Sequence, residues 1–345
     1  MSDTIAQLDK AVGGAAYKRS FTKADGRMLY LYGREPHALD ALPQDKDNIA
    51  TGAEVRFHPL RGEWNIYAAH RQNRTFKPAA SDDPLAPTQP DGPNTEIPFT
   101  DFELAIFENK FSALHPLAPE PSPLKGILSE PAKGACEVVV YTPEATGSLH
   151  TIGQDRRGLL ISAWLDRYAA LFARGCNDVL PFENRGEEVG ATLHHPHGQI
   201  YGFDKVPQVQ QRAIEAFADG YDLAGEIDQC IPDYGLASNR GMAAFCPRFA
   251  RFPYEIWIAP EQRREGLQDC TEAELEGLAE RVIRVPVELD NWTGLSATDT
   301  HLIYVRTGPF YYGRGSDVAV EIFTFDLEKR ESKSMLKPVG GYALA

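Results

Sequence analysis

The chain has 345 residues, 43% hydrophobic and 24% charged, with 49 acidic against 35 basic side chains and a formal charge of −14. That length holds one large domain or two ordinary ones, and the composition is that of a soluble globular protein. The negative balance excludes the long-range basic field that non-specific nucleic-acid binding or adhesion to an anionic membrane requires, so an anionic substrate must be held by a few placed arginines.

From the N-terminus, the first fifty residues read as peripheral, apart from a short strand in "RMLYLYG". Residues 54–69, "EVRFHPLRGEWNIYAA", predict two strands around a turn at Arg61-Gly62. A proline-rich stretch, 77–98, predicts an irregular loop. Strands follow in "FELAIFEN" and, after a second proline-rich loop at 115–131, in "ACEVVVYTP". The clearest helix is 156–175, where Leu160, Ile161, Trp164, Leu165, Tyr168, Leu171 and Phe172 form one apolar stripe and Gly175 supplies a stop. "DVLPFEN" predicts a strand, "HHPHGQIYGF" another, and 207–220 a helix. The strand "YEIWIAP" precedes a helix opened by Thr271 with Glu274 three residues on, a capping box, and closed by Pro286. "HLIYVRTG" and "DVAVEIFTF" are strand-like. Hairpin-like strand pairs with few inserted helices predict an α+β fold around antiparallel sheet.

No apolar run of about 18 residues predicts a membrane-spanning helix, and the N-terminal residues lack the apolar core of a signal peptide. The five cysteines (136, 176, 230, 246 and 270) are odd in number and contain no C-x-x-C pair. A reducing, cytoplasmic setting is therefore expected.

Three of the nine histidines lie within T-L-H-H-P-H-G-Q-I-Y, Thr192 to Tyr201. On an extended strand His195, His197 and Gln199 share one face, and Pro196 marks a strand at an edge or just leaving a loop. Two imidazoles and an amide on one face suit phosphate chemistry. A neutral imidazole nitrogen can attack phosphorus, provided an acceptor on its other nitrogen fixes the tautomer. Gln199 and the Thr192 hydroxyl can donate to phosphate oxygens as charge moves. A metal site built on His195 and His197 is the competing reading, but it needs further ligands that no obvious spacing provides. In "HRQNR", Arg71 and Arg74 stand three apart and can clasp a diphosphate.

Together these segments resemble the galactose-1-phosphate uridylyltransferases, the nucleotide-transferring branch of the histidine-triad superfamily. The resemblance lies in "FENRGEEVGATLHHPHGQI", "RFHPLRGEWNIYAAHRQNR", "FENKFSAL" and "FARFPYEIWIAP", in family order from about residue 54 to 262. It implies a fold of two related halves forming a mostly antiparallel half-barrel: an extension at 1–53, a half at 54–206 carrying H-P-H-G-Q, and a half at 207–345. It implies ping-pong transfer of UMP from UDP-glucose to a hexose 1-phosphate, galactose 1-phosphate first, in a homodimer with active sites at the interface. His197 would be the nucleophile, its far nitrogen held by a main-chain carbonyl at the Asn184 position. His195, Gln199 and Thr192 would assist it, Asn109 and Asn184 would contact the nucleotide, and Arg71 and Arg74 the phosphates. Glu183, Gly190, Lys337 and Tyr342 complete the expected substrate-binding set. The alternative is a uridylyl- or adenylyl-sugar phosphorylase or hydrolase of the same superfamily.

The chain departs from the family at its metals. Asp83 and Ala86 stand where many members carry the C-x-x-C zinc pair, and Ala145 stands near the later histidine. His195 alone remains of that set. The H-x-H of a second, iron-type site corresponds to Glu321 and Phe323. The expectation is no bound metal and no cofactor, with UDP-sugar and sugar 1-phosphate as partners. The ending "KPVGGYALA" is shorter than the family's hexose-contacting tail, which leaves the acceptor sugar open.

Overall fold

The structure is a computed structural model and describes residues 3–73, 82–185, 193–252, 255–282, 292–298, 300–306, 319–329 and 331–336. Its strands are β1 (Asp3–Gln7), β2 (Tyr17–Thr22), β3 (Met28–Gly33), β4 (Glu54–His58), β5 (Glu63–Tyr67), β6 (Leu104–Glu108), β7 (Ser129–Pro131), β8 (Gly134–Val140), β9 (Asp178–Phe182), β10 (His197–Phe203), β11 (Gly235–Asn239), β12 (Met242–Phe245), β13 (Trp257–Pro260), β14 (Trp292–Ala297), β15 (His301–Arg306), β16 (Glu321–Asp326) and β17 (Glu331–Leu336). The helices are α1 (Gly153–Ala173), α2 (Gln208–Ala218), α3 (Leu223–Tyr234) and α4 (Glu272–Arg281). The fold is α+β, with antiparallel sheets and few helices. By packing the chain divides into two compact units, one of residues 1–224 with 262–282 and one of 225–261 with 283–345. These units follow contacts and do not coincide with breaks at 53/54 and 206/207.

The first unit is built on a seven-stranded antiparallel sheet in the order β1-β2-β3-β6-β8-β10-β9, with a small β5-β4-β7 sheet beside it. The first fifty residues are not peripheral, because β1, β2 and β3 are strands of the main sheet. β3 is apolar at nearly every position, and the sheet buries both of its faces. Tyr30 and Tyr32 enter a core shared with Ile106, Val139 and Ile200. Leu29 and Leu31 enter a second core with Phe107, Val138, Leu85 and Phe99. A strand apolar on both faces is stable only inside a sheet covered on both sides.

α1 covers the first face. It begins at Gly153, three residues before the predicted start at 156, and stops at Gly175, whose φ of 94° is the left-handed conformation that glycine adopts without strain. Leu159, Leu160, Ala163 and Leu171 pack on the sheet, while Phe172 of the predicted stripe is exposed. α4 opens with the expected capping box, the Thr271 hydroxyl accepting from the Glu274 N–H and the Glu274 carboxylate accepting from the Thr271 N–H. It packs on α1 through Leu275 and Ala279. It ends at Arg281, and Pro286 lies outside the described residues.

One charged side chain of α1 crosses into the core. The Arg167 guanidinium donates to both carboxylate oxygens of Glu137 on β8, at 2.9 and 2.6 Å, and stacks over the Tyr30 ring. Both side chains are buried. A buried charge without its partner is costly, so the pair ties α1 to the strand next to β10.

In the second unit β11-β12-β13 form one antiparallel sheet and β14-β15-β16-β17 another. α3, β11 and β12 carry no sequence signal of the kind described above, and α3 contains Pro232. The five cysteines are free. Among the described residues no helix is long and apolar enough to cross a membrane.

Replacing Arg167 by alanine strands the Glu137 carboxylate, and urea unfolding should then show a loss of about 3–5 kcal/mol. The double change Arg167→Leu with Glu137→Leu should recover most of it. A wild-type unfolding midpoint in the single variant would contradict this role.

Candidate active site

β10 places the first functional side chains. It pairs with β8 so that His197 faces Val140 and Gln199 faces Val138. Directly opposed residues share a face of the sheet, so His197 and Gln199 lie on the face opposite α1, with Val138 and Phe107. The alternation predicted for this strand starts at His197. His195 lies before the strand, in the turn through Pro196, and is 2% exposed.

Gly198, between the two, admits no side chain. A Cβ there would stand 2.2 Å from the Tyr141 hydroxyl and 2.9 Å from the Phe182 carbonyl. The close approach of Tyr141 and of strand β9 is therefore built on this glycine. Burial, reinforced by the charge of Glu183 and a hydrogen bond to it, pushes the Tyr141 phenol pKa well above its usual value.

His197 and Gln199 open into a cleft whose walls also include Arg71, Asn109, Phe107 and Leu85. Arg71, in the single 3-10 turn after β5, donates to the Tyr201 hydroxyl at 2.9 Å and points to the same cleft. Asn109 follows β6, and its side-chain oxygen accepts the Phe111 N–H, forming a tight turn at the cleft edge. Asn184 is exposed just beyond β9, and Glu183 precedes it. Arg74, Gly190, Thr192, Lys337 and Tyr342 lie outside the described residues.

The histidine geometry also differs from the expected one in the acceptor that holds His197. His197 Nδ1 lies 2.7 Å from the carbonyl oxygen of His195, not from the main chain at Asn184. The turn at Pro196 brings this carbonyl under the ring two residues later. A carbonyl only accepts, so Nδ1 carries the hydrogen and Nε2 keeps its lone pair, without a partner among the described residues. Burial pushes the His197 pKa below its ordinary 6.5; the His195 carbonyl opposes this, and the charge at His195 adds to it.

His195 uses both ring nitrogens. Nδ1 lies 2.6 Å from the Asp83 carboxylate and Nε2 lies 2.8 Å from the Thr142 carbonyl. Burial would raise the Asp83 pKa, but the bonds from His195 and from the Leu85 N–H outweigh it and hold it below 3.8. Asp83 and Thr142 were not anticipated as site residues. They are 112 and 53 residues from His195, and no local pattern links them.

A further wall of the cleft carries charge. Glu96 is paired with Lys23, Arg27 and Lys110. Burial opposes its ionisation, yet these cations pull its pKa down to about 2.

The residues do not fit the family's metal sites. His195 has both nitrogens engaged, and Ala86 and Ala145 supply no donor. Glu321 is paired with Arg306 at 2.7 Å, and Phe323 beside it is not a ligand. Among the described residues no group of three or more His, Cys, Asp and Glu side chains is placed to hold a metal ion.

Residues 43–207 match the model of the galactose-1-phosphate uridyl transferase N-terminal domain. The chain is 31% identical over 244 residues to the galactose-1-phosphate uridylyltransferase of Thermotoga maritima, spanning 67% of this chain and 74% of that one. It is 31% identical to the enzyme of the same name from Streptomyces lividans, spanning 74% and 70% respectively. A solved uridylyltransferase structure superposes with a TM-score of 0.58 at 23% identity, over 85% of this chain and 90% of that one, a likeness of fold.

The histidine titration follows from burial. In an NMR pH titration the His197 ring protons should show a midpoint below 6.5, the ordinary value. Because the folded value is lowered, the stability present above about pH 6.5, the unfolded value, is lost as the pH falls below it and through the lower folded value. A midpoint at or above 6.5 would contradict the environment described.

Proposed function

The chain belongs to the galactose-1-phosphate uridylyltransferase family, a family of UMP-transferring enzymes, and from that premise we propose that it moves UMP from UDP-glucose to a hexose 1-phosphate through a covalent uridylyl-histidine at His197. The observation that carries this reading is the single hydrogen bond from His197 Nδ1 to the His195 carbonyl, which leaves Nε2 as the lone-pair nitrogen of a residue lining the cleft.

In the first half-reaction the Nε2 lone pair attacks the α-phosphorus of UDP-glucose. The bond from that phosphorus to the bridging oxygen breaks, and glucose 1-phosphate leaves with the electron pair. The imidazole becomes positively charged, and its Nδ1–H stays on the His195 carbonyl, which stabilises the charge. In the second, a phosphate oxygen of the acceptor attacks the same phosphorus and His197 departs neutral, giving UDP-hexose. Burial keeps His197 neutral near pH 7, so the nucleophile needs no base to remove a proton. The Gln199 amide donates to an α-phosphate oxygen as charge builds, and Arg71, which lines the same cleft, bears on the phosphates. Transfer of this kind asks mainly for positioning and charge stabilisation.

Galactose 1-phosphate is the proposed acceptor, by the names of the relatives. A homodimer with active sites at its interface, and function without metal or cofactor, belong to the same proposal. The donor set around His195 supports the last point.

Protein incubated with UDP-glucose labelled at the α-phosphorus, without acceptor, should take up an acid-labile, base-stable label that maps to His197. Galactose 1-phosphate should discharge it as UDP-galactose. His197→Ala should take up none, and Gln199→Ala should label about a hundredfold more slowly. No adduct from UDP- or ADP-sugars would overturn the covalent reading. Release of UMP to water, or of a nucleoside diphosphate to inorganic phosphate, in place of sugar exchange would assign hydrolysis or phosphorolysis.

A further inference from the structure

We propose that Asp83, acting through His195, is the positioning residue that fixes the tautomer and direction of His197. Three hydrogen bonds form one chain. Asp83 Oδ2 receives His195 Nδ1 at 2.6 Å, the Thr142 carbonyl receives His195 Nε2 at 2.8 Å, and the His195 carbonyl receives His197 Nδ1 at 2.7 Å. The two bonds on the His195 ring clamp that residue from opposite sides, with its side chain wholly buried. A clamped residue has a fixed main chain, and the carbonyl of that main chain is what orients the nucleophile. The acceptor on one imidazole nitrogen sets which nitrogen is free, and a small misplacement of a reacting group is costly.

Asp83 stands at the position of the first cysteine of the family's zinc pair. With Ala86 and Ala145 at the positions of two further ligands, the residues present cannot supply a tetrahedral site. The carboxylate and the Thr142 carbonyl hold His195 by hydrogen bonds instead. Asp83 also accepts the Leu85 N–H at 3.0 Å, and Pro84 and Leu85 form part of the cleft wall. One carboxylate thus ties a substrate wall to the residue beneath the nucleophile, across 112 residues of sequence.

This inference rests on the covalent reading for its catalytic meaning, so its test has an arm independent of turnover. In full-length protein labelled with 15N-histidine, the ring nitrogen shifts should show His197 in one tautomer, with hydrogen on Nδ1. Asp83→Ala should populate both tautomers, and Asp83→Asn, which keeps a hydrogen-bonding partner of the same shape, should restore the first. In the kinetic arm, Asp83→Ala should slow transfer of label from UDP-glucose to His197 by about a hundredfold at saturating substrate, with KM changed far less, and Asp83→Asn should recover most of the rate. If the alanine variant does not fold, Asp83→Leu fills the space without accepting a hydrogen bond and should give the same two results. Wild-type tautomer and wild-type labelling rate in folded Asp83→Ala or Asp83→Leu would overturn the proposal. Wild-type protein that takes up no label would defeat the covalent reading, and the tautomer spectra would still decide the role of Asp83.

Discussion

A main-chain carbonyl accepts hydrogen bonds and cannot donate one, and here that asymmetry decides which nitrogen of His197 is free to react. The carbonyl is that of His195, at 2.7 Å, and the rest of the site serves to keep it still. Pro196 turns the chain so that the carbonyl lies beneath the later ring. Gly198 lets β9 and Tyr141 close against the strand. Burial favours the neutral imidazole.

That local arrangement depends on the sheet. β10 is one of seven antiparallel strands, and its neighbour β8 is covered by α1 on one face and by the 82–102 segment on the other. The functional face is the second one, where His197 and Gln199 open into the cleft. The first face supplies rigidity, and the buried Arg167–Glu137 pair locks helix to sheet there. Charge is handled in the same way on both sides: the buried carboxylates of Glu137 and Glu96 and the half-buried one of Asp83 each meet cations or donors inside the protein.

Much of this was legible in the sequence, for reasons that are local. The hairpin of β4 and β5, the apolar stripe of α1, the stop at Gly175 and the capping box at Thr271 each depend on residues a few positions apart, and they form as expected. Gln199 and His197 share a face because strand alternation is also local. The centrality of β3 was hidden by its polar flanks, and it follows only from having two cores to fill. α3 was hidden by Pro232 inside it. The bond between Asp83 and His195 was out of reach, since it joins residues 112 apart and Asp83 drew notice only as a missing cysteine. The family pattern pointed to a carbonyl at Asn184, whereas the tight turn at Pro196 puts a nearer one under the ring.

The most direct test of the central claim, a covalent nucleotidyl-histidine, is stereochemical. UDP-glucose made chiral at the α-phosphorus with oxygen isotopes would be turned over with a hexose 1-phosphate, and the configuration of the product read by phosphorus NMR. Attack by His197 and then by the acceptor are two in-line displacements, each inverting the phosphorus, so the product should retain the original configuration. Inversion would mean a single direct transfer between the sugar phosphates and would contradict the account.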